Sequence, residues 1–98
     1  MLFADKIQQL RKLNQLLQRQ LASVLEINTP MYSKIERCQR PAKRAQVVAL
    51  AKIFNADEPE LLTLWLADKL ISAICTEIEL APKAFQLAFE KAKNNNPK

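Results

Sequence analysis

The 98-residue chain contains no glycine and no histidine. Proteins average about 7% glycine, so its absence constrains function as well as folding. Glycine-dependent phosphate loops, type I′ hairpins and glycine C-caps are excluded. Without histidine or a cluster of acidic residues, no catalytic constellation can be assembled, and we expect no enzyme. Cysteine is scarce too. Cys38 and Cys75 lack CxxC spacing and are too few for a disulfide scaffold or a metal site. We read them as reduced thiols of a cytoplasmic protein, with no metal and no cofactor. Long apolar runs are also missing. The longest, Leu61 to Ile78, is interrupted by Asp68 and Lys69, which argues against a membrane span. The segment MLFADKIQQLRK lacks the basic-then-apolar order of a signal peptide.

What is present is basic and half apolar. The length fits one domain with a modest core. The net charge of +5 is uneven: residues 1–57 carry ten Lys/Arg and four Asp/Glu, a net of +6. Residues 58–98 carry five Lys/Arg and six Asp/Glu, a net of −1. Such a split suggests a basic half that meets an anion and a near-neutral half with another task.

No segment alternates with period two, so no strand is expected and the fold class is all-α. A first helix over about Leu2–Asn14 carries Phe3, Ile7, Leu10 and Leu13 (or Asn14) as one stripe. A second, about Gln18–Leu25, turns Leu21, Ala22 and Leu25 inward. After Glu26 and Ile27, Asn28 is an N-cap and Pro30 a first-turn residue for a third helix, about Thr29–Arg37. Tyr32 and Ile35 face the core there, and Glu36 has the spacing to pair with Arg40. A fourth helix, about Lys43–Phe54, buries Val47, Leu50, Ala51 and Phe54. Asp57 and Glu60 have capping-box spacing, opening a fifth helix that runs to about Glu77. Ile78 to Ala81 read as a linker, and a last helix starts near Pro82 with Phe85, Leu87, Ala88 and Phe89. The tail KNNNPK is polar and expected to fray.

The most telling stretch is LASVLEINTPMYSKIERCQRPAKR, Leu21 to Arg44. Two short helices across a tight break, followed by clustered positive charge, form the geometry that lays a helix in the DNA major groove. The matching residues are Gln18, Leu21-Ala22, Leu25, Ile27, Ser33-Lys34-Ile35-Glu36, Arg40, Val47, Leu50-Ala51 and Leu61-Leu62. On these residues, about 5–66 resembles the Cro/C1-type helix-turn-helix family of repressors, the XRE family. The resemblance implies a lambda-repressor-like DNA-binding domain of four to five short helices with a helical C-terminal extension. The sequence departs from the family pattern in three places. Glu26 stands where the turn glycine is usual, Arg37-Cys38 where Asn-Gly is usual, and Leu17 where Ser or Thr usually caps the second helix. A left-handed residue at Glu26 costs roughly 1 kcal/mol.

By the same resemblance, the third helix is the recognition helix. Thr29, Pro30, Met31 and Lys34 are the expected base contacts: a hydroxyl or methyl, two apolar surfaces for a thymine methyl, and a donor to guanine. Gln18 resembles the family's backbone-anchoring glutamine, and Ser33, Arg37, Arg40, Lys43 and Arg44 complete the expected phosphate contacts. So few base readers leave much of the specificity to DNA shape.

We divide the chain into a DNA-binding domain, residues 1–66, and a helical extension, 67–98, for dimerisation. The apolar residues of the fifth helix, from Leu61 to Ile78, spread around more than one of its faces, so two sides must be covered. Leu64, Trp65, Ile71, Ile74, Ile78, Phe85 and Phe89 are the expected interface of a symmetric homodimer. The alternative is a monomer whose last helix closes the core. A dimer would read a pseudo-palindromic double-stranded operator with half-sites about 34 Å apart. The implied function is transcriptional regulation, as a repressor or autoregulator. The competing function is an antitoxin-like interaction module whose helical tail binds a protein partner.

Overall fold

A computed structural model describes residues 1–94. They form six α-helices and no strand: α1 Leu2–Leu13, α2 Gln18–Val24, α3 Thr29–Glu36, α4 Arg44–Phe54, α5 Glu58–Ile74 and α6 Ala81–Asn94. The expected linker before α6 is a short 3-10 turn, Ile78–Leu80. Of the tail expected to fray, Lys93 and Asn94 are helical, and positions 95–98 lie outside the described residues. The chain divides into two compact units, Met1–Asp68 and a second that starts at Lys69.

The first unit is built on the stripes that the spacing predicts. Phe3 and Ile7 of α1, Leu21 and Ala22 of α2, Tyr32 and Ile35 of α3, and Val47, Leu50, Ala51 and Phe54 of α4 are buried in one core with Leu61. α2 packs on α3, and α1 packs on both α3 and α4. One expectation fails at the end of α1. Leu13 is 77% exposed, and the stripe ends with the half-buried Leu10. The helix stops there: Asn14 becomes its C-cap, with its side chain donating to the Leu10 carbonyl at 2.7 Å. Arg11 turns inward instead.

Two predicted caps form. The Asn28 side chain accepts from Met31 N at 2.8 Å, and the Asp57 carboxylate accepts from Glu60 N at 3.2 Å. Another cap comes from far away in sequence. Asp68 on α5 accepts from the first amides of α1, Leu2 N at 3.0 Å and Phe3 N at 2.9 Å. A carboxylate there satisfies two orphan donors and complements the helix dipole.

The missing glycines leave a regular signature. Among the described residues four have positive φ, each just past a helix: Gln15 at 57°, Glu26 at 59°, Cys38 at 63° and Asn55 at 51°. Each closes its helix with the same pair of bonds. After α2, Glu26 N reaches Ser23 O at 3.1 Å and Ile27 N reaches Ala22 O at 3.0 Å. After α3, Cys38 N reaches Ile35 O at 3.2 Å and Gln39 N reaches Lys34 O at 2.8 Å. This is the Schellman closure, usually assigned to glycine. The departures at Glu26 and Cys38 therefore change the residue and keep the left-handed turn.

Candidate nucleic-acid interface

α2, the turn Leu25 to Asn28 and α3 form the helix-turn-helix. The turn is short because the closure at Glu26 runs directly into the Asn28 cap. Tyr32 and Ile35 hold one face of α3 in the core, so its opposite face lies outward. Thr29, Pro30 and Lys34 are exposed there, and Met31 and Ser33 are half-buried. Arg37, Arg40, Lys43 and Arg44 are all exposed. Among the described residues, none of these four and not Lys34 has an ion-pair partner, so their charge is available to an external anion.

The connector between α3 and α4 carries Arg40 and Lys43 and is pinned from below. Ala42 is buried, and its carbonyl accepts the indole N–H of Trp65 at 2.7 Å. That bond fixes the path of the chain between two basic side chains.

Glu36 does not pair with Arg40. It is buried, and its carboxylate takes Arg11 Nε at 2.7 Å, Arg11 Nη2 at 3.1 Å and Gln18 Nε2 at 3.1 Å. Glu36 closes α3 on the inward side, so its side chain meets α1 rather than the connector. Arg11 also donates to the Leu16 carbonyl at 3.2 Å. Burial pushes the Glu36 carboxyl up, but Arg11, the adjacent Tyr32 hydroxyl and Gln18 together outweigh it and hold it below the ordinary carboxylate range. The Tyr32 hydroxyl lies buried beside this carboxylate without a hydrogen bond of good geometry. Burial, then the neighbouring Glu36, raises its pKa far above the usual phenol value. Gln18 is thus half-buried and tied to Glu36, at the junction of α1, α2 and α3.

Sequence reasoning missed Arg11. A cation on α1 and an acid on the inward face of α3 are 25 residues apart, and only the packed helices bring them together. Among the expected interface residues, Leu64 and Trp65 are half-buried in the first unit. In the second unit Ile74 is half-buried, and Ile71, Ile78, Phe85 and Phe89 are exposed. No group of three or more metal-ligating side chains is present among the described residues. No helix among them is long and apolar enough to cross a membrane.

The two helices across a capped, left-handed turn define a class, that of helix-turn-helix proteins. Residues 2–64 match the helix-turn-helix domain family, and the chain belongs to that family. Its fold and family are those of a DNA-binding regulator. No curated protein and no solved structure matches the chain significantly.

Proposed function

We propose that this chain is a sequence-specific, double-stranded DNA-binding transcriptional regulator of the XRE type, a cytoplasmic repressor or autoregulator acting as a homodimer. The observation that carries this reading is the outward face of α3, flanked by the unpaired, exposed cations Arg37, Arg40, Lys43 and Arg44. In this reading α3 enters the major groove. Thr29, Pro30, Met31 and Lys34 meet base edges, and the cations, with Ser33, meet phosphates. Gln18 acts at the phosphate edge through its second amide hydrogen while it holds Glu36. The apolar residues of the second unit supply the dimer contact, and two copies of α3 read half-sites of a pseudo-palindrome.

The test is fluorescence anisotropy with short duplexes selected from a random pool, titrated across salt concentration. The expected result is a palindromic selected site and an affinity that falls steeply with salt, as release of counterions from several phosphates requires. A flat salt response would sink the proposal.

A further inference from the structure

We propose that α6 pairs with α6 of a second copy, antiparallel, with the two-fold axis between positions 86 and 87. The proposal rests on the dimeric reading above and adds the contact and its orientation. α6 carries Ala81, Ala84, Phe85, Ala88, Phe89 and Ala92 on one face at helical spacing. Ala81, at the start of this face, is buried, Phe85 is 38% exposed and Phe89 is 71% exposed. Large aromatic rings left in water on one helix face call for a cover.

The order of these residues selects the cover. About an axis between 86 and 87, Phe85 of one copy meets Ala88 of the other, and Phe89 meets Ala84. Every ring faces a methyl, and each contact occurs twice, as an isologous interface demands. A parallel, in-register pair would instead set Phe85 on Phe85 and Phe89 on Phe89. Charge selects the same orientation. Glu77 and Glu79 precede α6, and Lys91 and Lys93 lie in its last turn. All four are exposed, and none is in an ion pair among the described residues. The antiparallel copy brings Glu79 to Lys93 at both ends, whereas a parallel copy sets like charge against like. Such rim pairs add little affinity and mainly fix register.

The experiment is sedimentation equilibrium on the full chain, with circular dichroism on every sample. Ala84→Phe places a ring against Phe89 of the second copy and should weaken association by roughly tenfold or more. Phe89→Ala should also weaken it. The double variant Ala84→Phe, Phe89→Ala merely exchanges the ring and the methyl across the interface. It should restore association to within a few-fold of the unmodified chain, with helicity unchanged throughout. A double variant no tighter than either single variant would overturn the pairing, as would a dimer indifferent to Ala84→Phe. A monomeric unmodified chain that loses helicity on Ala84→Phe would mean α6 packs on its own chain, and would also overturn it. Duplex binding is measured on the same samples. Rescue of the dimer without salt-dependent DNA binding would leave the α6 pairing supported and remove the regulator reading.

Discussion

Single residues here carry conformations and charges that their neighbours must support. Cys38 sits in the left-handed region at φ 63°, where its Cβ crowds the following carbonyl. Cys38→Gly should therefore raise stability by about 1 kcal/mol, the strain released by losing Cβ. Asn55→Gly should change it little, because Asn tolerates this region. Urea midpoints at constant slope distinguish the two. The Arg11–Glu36 pair makes a second case. Arg11→Ala leaves a buried carboxylate without its main donor and should cost about 3 kcal/mol at neutral pH. The folded-state pKa of Glu36 is depressed in the unmodified protein. Its contribution is therefore complete above the unfolded value of about 4.3 and is lost as pH falls below it. In the variant, burial acts on Glu36 with less opposition, so the carboxyl takes up a proton at higher pH. The gap between the two proteins should narrow as pH falls, a trend that denaturation at several pH values can follow.

At the scale of elements, helix ends are where local sequence and distant partners meet. Asp68→Ala removes both acceptors from the first turn of α1 and should cost about 1–2 kcal/mol, measured by thermal melting. The helices themselves were legible in the sequence. Each of α1 to α4 has a 3.6-period stripe, and Asn28 and Asp57 announce the starts of α3 and α5 by the chemistry of their side chains. The missing glycine at Glu26 was legible as a departure from the family pattern, but the left-handed conformation there was not, because the bonds that close α2 depend on how the chain turns into Asn28. Long-range partners were not. Asp68 lies 66 residues from Leu2, and nothing local distinguishes an interior Asp that caps another helix from one that faces water. Glu36 had a plausible partner at Arg40 one turn away. Sequence spacing could not weigh that exposed pair against a buried one made by packing α1 on α3. The outward residues of α3 followed directly once Tyr32 and Ile35 were assigned to the core.

The whole molecule separates tasks by charge and exposure. The basic first unit presents Lys34, Arg37, Arg40, Lys43 and Arg44 with no ion pair among the described residues, and the second unit exposes aromatic and aliphatic side chains. The proposed DNA contacts therefore divide by their effect on binding. Arg44→Ala should weaken every duplex alike and lower the slope of log affinity against log salt by about one. Lys34→Ala should cost about 1–3 kcal/mol on the preferred site and much less elsewhere, relaxing sequence preference. Anisotropy titrations on preferred and scrambled duplexes at several salt concentrations separate these outcomes. An equal loss on both duplexes would move Lys34 to the phosphates.

Trp65 is the chain's only tryptophan, and its indole proton rests on the carbonyl of Ala42, beside Lys43. The protein thus carries its own optical gauge. Ultraviolet emission from one ring, with no dye attached, comes from beneath the strip of backbone that bears Arg40 and Lys43, so a spectrometer can follow that strip while ligand is added.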